Sequence, residues 1–328
     1  MVSIVRRTVL VAAALVGAGL LQPAPLAAAE KVKIVTDAGF LGRHAYFFVA
    51  IDKGYYKAAD LDVEVLRGQG SADAIKQVAS GNVTFGFADA GSLVLARANE
   101  GLPVRMVAIV YAKPPHAIYA LADSGIRTPK DLEGRKIANP AGGAIPKMFP
   151  AYAKAAGIDA SKVGWVVASS ESLPGLLALG RVDAIGQFTV GAPRLEKDAA
   201  PKSVVELSYA DAGLDFYGNG LVVSESTLAA KPAVVEAFVA ATLKGLRDAL
   251  ADPKAAAETM RKFHRELDAD LGAAELVKVK ALADVPGVPL GIIQPKQAQA
   301  TIDVVAGAFD MKSQVRSEDV FDARFVKP

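Results

Sequence analysis

The feature that most restricts how this chain can fold is a unit repeated along it: a short apolar run, a turn bearing glycine or serine, then a helix-forming stretch. Val32 to Thr36, Leu61 to Leu66, Val83 to Ala88 and Val104 to Tyr111 read as strands. Between them, His44 to Tyr56, the segment from Ser71 to Ser80 and the one opening at Gly91 and Ser92 read as helices. Strands joined through helices run parallel and are covered on both faces, so an α/β fold with parallel sheets is expected. Lys113, Pro114 and Pro115 break the pattern. A second series follows: a turn and short helix over Thr128 to Gly134, a strand over Lys136 to Asn139 and a helix ending near Gly157. Val163 to Ala168, Val182 to Gln187 and Val204 to Leu207 read as its further strands. Asp211 to Gly220, rich in glycine, aspartate and aromatics, reads as a return crossing, with Leu221 to Val223 rejoining the first series. Pro232 then opens a helix whose apolar stripe, Val235, Phe238, Val239, Leu243, Leu246 and Leu250, repeats about every 3.6 residues, and helices continue to about Asp310.

A chain of 328 residues suits two domains. The two crossings divide it into 30–112 with 218–328, and 113–217. Residues 1–29 read as a signal peptide. Arg6 and Arg7 precede an apolar run from Thr8 to Leu21, too short to span a membrane, and Ala27, Ala28 and Ala29 offer a cleavage site. The mature protein is expected to be exported, periplasmic and monomeric, with no membrane span. The arginine pair leaves general and twin-arginine export both open. Arg6 and Arg7 are the only charges in that leader, so without them basic and acidic side chains balance at 35 each. No basic excess marks a nucleic-acid binder. The absence of cysteine excludes disulfides, thiolate metal sites and cysteine nucleophiles. No cofactor or metal is expected.

Several stretches in order resemble one family. Asp37, His44, Phe48, Val49 and Ala50 fall in the register of its first loop and helix. Asp52 to Lys57 with Leu61 to Val65, Val78 to Gly81 with Phe85 and Gly86, Gly101 to Val104, Thr128 to Gly134 and Gly180 to Ala184 follow. Together they span about residues 32 to 250. The chain so resembles ABC-transporter substrate-binding proteins for nitrate, sulfonate, taurine and thiamine-pyrimidine precursors. The resemblance implies a type II periplasmic-binding fold: two α/β lobes, two crossover strands and a ligand cleft between the lobes. It also implies a small-molecule ligand, and an ABC permease and ATPase as partners. Ala38, Phe40 and Leu41 stand where the pyrimidine branch usually has tryptophan and a Pro-Asn pair, so its pocket does not transfer residue by residue.

Ligands of open α/β sheets sit beyond the carboxyl ends of the strands. The loops Asp37 to His44, Gly68 to Ser71, Asp89 to Ser92 and Asn139 to Ala144 have that position, and Ser169, Ser170, Gln187, Phe188 and Thr189 can add to them. Gly70 with Ser71, Gly91 with Ser92, and Gly142 with Gly143 recur where helix N-termini offer free N–H groups, although each also reads as an ordinary cap. Asp37, Phe40, His44, Phe48, Gln69, Asp89 and Asn139 are the other candidates. Tyr111, Tyr217 and Asn219 lie at the crossings, either in the cleft or as hinge packing. Trp165 reads as core. Arg43 and Arg67 are the only arginines in these loops and could face solvent. A carboxylate with aromatic and amide partners suits a neutral or cationic nitrogen heterocycle better than an oxyanion, which remains the alternative. On this reading Asp37→Ala weakens binding without unfolding the protein. Eukaryotic relatives that synthesise the thiamine pyrimidine resemble the chain but use a cysteine-rich motif that it lacks. A ligand-sensing partner of a receptor would share the fold.

Overall fold

The computed structural model describes residues 28–327, so the expected signal peptide lies almost wholly outside the described residues. Strands β1 (Glu30–Val35), β2 (Leu61–Leu66), β3 (Phe85–Asp89) and β4 (Val104–Ile109) alternate with helices α1 (Ala45–Asp52), α2 (Ser71–Ala79) and α3 (Ala90–Glu100). The second series has β5 (His116–Leu121), β6 (Lys136–Asn139), α4 (Ala144–Ala156), β7 (Gly164–Val167), α5 (Leu173–Ala178), β8 (Ala184–Phe188), α6 (Ala192–Ala199) and β9 (Val204–Ser208). Then β10 (Asn219–Ser224) leads into α7 (Glu225–Ala230), α8 (Pro232–Ala251), α9 (Pro253–Phe263), α10 (Ala269–Ala283), α11 (Pro295–Ala308) and α12 (Ser317–Val320).

Two five-stranded sheets result, ordered β2-β1-β3-β10-β4 and β7-β6-β8-β5-β9. Both are mixed, which corrects the expectation of parallel sheets. β10 runs antiparallel to β3 and β4, and β5 antiparallel to β8 and β9. The cause is common to both. Each is the first strand after a crossing, and it enters its sheet from the cleft end, where the parallel strands finish. β5 was not anticipated, because it follows Pro114 and Pro115 directly and opens on His116. Yet all six of its residues are buried. Trp165 departs from expectation too. β7 is an edge strand, and the indole is half-buried, edge-on to Phe149 at 5.3 Å.

The apolar stripe of α8 is buried as its spacing requires. Phe238 stacks on Phe85 of β3 at 3.9 Å and on Tyr56 at 5.4 Å, which ties the helix to the first sheet. Among the described residues no helix is long and apolar enough to cross a membrane.

Candidate functional site

A cavity of about 320 Å³ opens between the ends of the two sheets where β1, β2, β6 and β8 finish. The loops after β1 and β2 are tied together by Thr36. Its Oγ1 donates to Gly39 O (2.9 Å) and accepts from Gly68 N (3.1 Å). That brace carries Asp37, Phe40, Arg43, Arg67, Gly70 and Ser71 to the cavity wall. The facing wall comes from the loops after β6 and β8, with Asn139, Gly143, Gln187 and Phe188. Leu173 and Ile145 add apolar surface, and Ser170 also reaches the wall.

Asp37 is held by three donors. His44 Nε2 lies 2.8 Å from Oδ1, Asn219 Nδ2 donates to Oδ2 (3.0 Å), and the Arg43 guanidinium stands 3.8 Å from Oδ2. Leu41 N donates to His44 Nδ1 (3.3 Å), so the ring proton sits on Nε2 and points at Asp37. Burial pushes the Asp37 carboxyl up, but the charge of Arg43 and the hydrogen bond from His44 outweigh it, and its pKa ends below the usual value. Burial lowers the pKa of His44 despite Asp37, so the imidazole stays neutral. Asp37 thus reaches the wall as a carboxylate already saturated by its own loop and by β10.

Arg43 does not face solvent. It is 5% exposed, lines the cavity, and holds its guanidinium 6.0 Å from the centre of the Phe188 ring on the opposite wall. Glu275 of α10 accepts from Arg43 N (2.9 Å), and burial raises the pKa of that carboxyl although Arg43 opposes the rise. Gly42 permits this contact. A Cβ there would collide with the backbone of Gly272, so α10 packs directly on the loop after β1. The rim is more open. Arg67 pairs with Glu266 (3.2 Å) and Glu171 (3.9 Å), all half-exposed, and lies 4.6 Å from the ring centre of Phe40.

The glycine-serine turns fare differently. Gly70 has φ +129°, and a Cβ on it would strike the backbone of Gly142 across the cleft. There Ala72 N donates to Gly142 O (3.1 Å), so the two turns close directly on one another. The Ser71 hydroxyl accepts from Asp89 N (3.1 Å). Gly91 and Ser92 are off the wall. Gly91 sits under Met148 of α4, and Ser92 N donates to Asp89 (2.6 Å), which makes Asp89 the cap of α3. The other Asp89 oxygen lies 3.2 Å from His116 Nε2, between the two sheets.

Of the other candidates, Phe48 packs behind Phe40 at 5.8 Å, Tyr111 is buried edge-on to Phe87, and Gln69 is exposed beside the cleft. The Tyr217 hydroxyl accepts from Gln294 N (2.7 Å), away from the cavity. The sequence reading missed Arg43 as a wall residue, along with Glu171, Glu266 and Glu275. The two last come from the C-terminal segment, Glu266 from the turn between α9 and α10 and Glu275 from α10, where nothing in the local pattern points to the cleft.

A family model described as NMT1/THI5 like matches residues 42–256. The riboflavin-binding protein RibY of Chloroflexus aurantiacus is 29% identical over 237 residues, 71% of this chain and 65% of that protein. The formylaminopyrimidine-binding protein of Halalkalibacterium halodurans is 28% identical over 224 residues, 66% of each. The chain thus matches just under two thirds of the length of these relatives. Among solved structures, the alkanesulfonate-binding protein SsuA from Xanthomonas axonopodis pv. citri, bound to MOPS, superposes with a TM-score of 0.66 at 15% identity. The alignment covers 83% of this chain and 90% of that one. The fold is therefore the two-lobed periplasmic-binding fold.

Proposed function

The chain belongs to the NMT1/THI5-like family, and on that premise we propose that it is the extracytoplasmic solute-binding protein of an ABC importer, capturing a small, uncharged, ring-containing nitrogen compound. The observation that carries the ligand class is the balance of charge in the cavity. The one buried cation, Arg43, is paired with the buried Asp37, its backbone N–H binds the buried Glu275, and the rim adds Arg67 and Arg194 with Glu171 and Glu266. An oxyanion would enter beside four carboxyl groups and meet three arginines, each already facing a carboxylate: Asp37 at Arg43, Glu171 and Glu266 at Arg67, and Asp198 at Arg194. A neutral ring needs no counter-charge, and Phe188, Leu173 and Ile145 give it apolar surface. Two relatives bear the names of binders of such rings.

Residues 30–112 with 218–328 form one lobe and 113–217 the other, and they close about the crossings near 112 and 218. Closure of this kind is a balance between open and closed states that the ligand tips by touching both lobes. The direct meeting of Gly70 and Gly142 is a contact that opening would break. The exported chain would deliver its ligand to a permease with its ATPase, as a monomer and without catalysis. Support for binding rather than turnover comes from the lack of any cysteine and from the names of the two relatives.

Calorimetric titration of the purified protein with riboflavin, 4-amino-5-hydroxymethyl-2-methylpyrimidine, taurine and ethanesulfonate tests the ligand class. Saturable one-to-one binding of a ring compound, with no heat from the sulfonates, is the expected result. Binding of the sulfonates alone would overturn it.

A further inference from the structure

Asp89 and His116 meet beneath the cavity, and neither lines it. Asp89 is the last residue of β3 in the first sheet, and His116 is the first of β5 in the second. Both side chains are wholly buried, and His116 Nε2 lies 3.2 Å from Asp89 Oδ2. The contact therefore joins the two halves of the molecule, and it does so beside the crossings. Ala90 N donates to Gly218 O (3.0 Å), and a Cβ on Gly218 would strike Pro115 and Lys113 O of the other crossing. Two cavity residues cover the pair. The Ser71 hydroxyl accepts from Asp89 N, and Phe188 stands edge-on to the His116 ring at 5.0 Å. Parting the walls that carry Ser71 and Phe188 would open the pair to water.

The two oxygens of Asp89 have different duties. Oδ1 caps α3 through Ser92 N, a contact inside the first half that lobe motion leaves alone. Oδ2 has no aligned hydrogen bond among the described residues, and neither has either ring nitrogen of His116. The imidazole is at bonding distance, but its N–H is turned off the line to the oxygen. The rest of its ring is packed by Phe188, Phe216 at 5.2 Å and Tyr209 at 5.5 Å. A carboxylate oxygen in this place has exchanged water for one imperfect contact, and such an exchange returns less than it takes.

Resting on the solute-binding reading above, we propose that Asp89 and His116 are positioning residues that set the balance between the open and closed cleft without touching the ligand. Closing takes the water from Asp89 Oδ2 and offers the Nε2–H of His116 instead. The buried charge favours the open state, the imidazole limits that preference, and a ligand that bridges the walls supplies the difference. Apparent affinity scales with the fraction of chains able to close, so the pair tunes capture and release from behind the site.

The chain has no cysteine, so nitroxides can be attached at Val167→Cys and Arg265→Cys alone. Both positions are exposed, one in each half, beside the cavity residues Ser170 and Glu266. Double electron–electron resonance of the ligand-free chain then reads the open and closed populations as long and short distances. His116→Leu leaves the buried oxygen without a donor. It should lengthen the distance and weaken binding of riboflavin or 4-amino-5-hydroxymethyl-2-methylpyrimidine about 10- to 100-fold. Asp89→Asn removes the charge that closing dehydrates and keeps the α3 cap through its amide oxygen. His116 can accept from that amide, since Nδ1 is free to take the ring proton. This variant should shorten the distance and bind the rings no more weakly than the parent, with the double variant between the two. Opposite shifts are a result that lost stability alone would not produce. Shifts in one direction, or none in either variant, would overturn the inference. Should His116→Leu fail to fold, Asp89→Asn decides by itself, and a distance unchanged or longer than the parent's overturns the proposal. A parent protein that binds neither ring would overturn the reading of the ligand, while the distances, which need no ligand, still decide on the pair.

Discussion

On the wall supplied by the first sheet, every buried charge that lines the cavity is answered from the same half of the molecule. Asp37 is met by His44, Asn219 and Arg43, the Arg43 guanidinium in turn by Asp37, and Glu275 by the backbone N–H of Arg43. The wall supplied by the second sheet is built otherwise. Among the described residues that half buries no arginine, lysine or carboxylate, and its cavity surface is one oriented amide, a glutamine, Ser170, Phe188 and aliphatic side chains, with the charges of Glu171 and Arg194 kept to exposed positions at the rim. The difference bears on what each wall can do. A cluster of mutually satisfied charges is rigid, because moving one member exposes the others. Apolar and amide surfaces accept small shifts at little cost. The first wall therefore fixes a geometry before any ligand arrives, and the second is free to come to it when the cleft closes.

Removing the centre of the rigid wall should have the largest effect. Asp37→Ala leaves the His44 N–H, the Asn219 amide and the buried Arg43 without their acceptor. Breaking one partner out of a buried charged pair typically costs about 3–5 kcal/mol. Urea denaturation of Asp37→Ala and of Asn139→Ala should separate the two walls, with the aspartate variant losing several-fold more stability. This revises the reading from sequence, in which Asp37 served the ligand and its loss left the fold untouched. Equal losses in the two variants would remove the distinction between the walls.

Much of this arrangement is legible in the chain, and the illegible parts share a cause. The α8 stripe and the strand–turn–helix units at Gly70 and Asn139 could be read because period and turn chemistry are local. The closure of Gly70 on Gly142 was foreshadowed only as a shared topological place, since contact across the cleft depends on how two sheets face each other. β5 hid behind a proline pair whose loop-forming tendency masks the buried strand that follows. Arg43 was the costliest miss. An arginine in a loop reads as solvated, and what buries it is a carboxylate 232 positions along the chain, delivered by the packing of Gly272 against Gly42. No window of sequence contains that information.

A smaller effect should appear in acid. His44 is buried and its pKa lies below the ordinary value of about 6.5, so the unfolded chain takes up a proton that the folded one refuses. Its contribution to stability is complete above about 6.5 and shrinks as pH falls through that value toward the lower folded one, by up to about 1.4 kcal/mol per pH unit. Glu275 acts in the opposite sense. Its folded pKa is raised above 4.5, so the cost of its buried charge is relieved as pH falls through that higher value. Asp37, whose folded pKa is lowered, adds its own loss only at still lower pH, below about 3.9. Comparing wild type with His44→Gln isolates the histidine. The stability difference should move in favour of the variant between pH 6.5 and 5, as read by thermal denaturation in matched buffers. A difference independent of pH would mean that His44 does not hold the rigid wall as a neutral donor.

The smallest effect belongs at the rim, where charges from both halves meet in water. Arg67 faces Glu266 at 3.2 Å and Glu171 at 3.9 Å, with about half of each side chain exposed, so solvent screens both pairs. Exposed pairs of this kind contribute about 0–1 kcal/mol, and the stacking of the guanidinium on Phe40 at 4.6 Å adds a similar amount at most. Arg67→Ala should therefore cost under about 2 kcal/mol, and the ionic part of that loss should fade as salt shortens the screening length below about 10 Å. Denaturation of the variant and the parent at low and at high ionic strength measures both quantities. A loss as large as that of Asp37→Ala, unmoved by salt, would place the rim inside the rigid wall and shift the boundary between the fixed and the adaptable parts of the cleft outward to the protein surface.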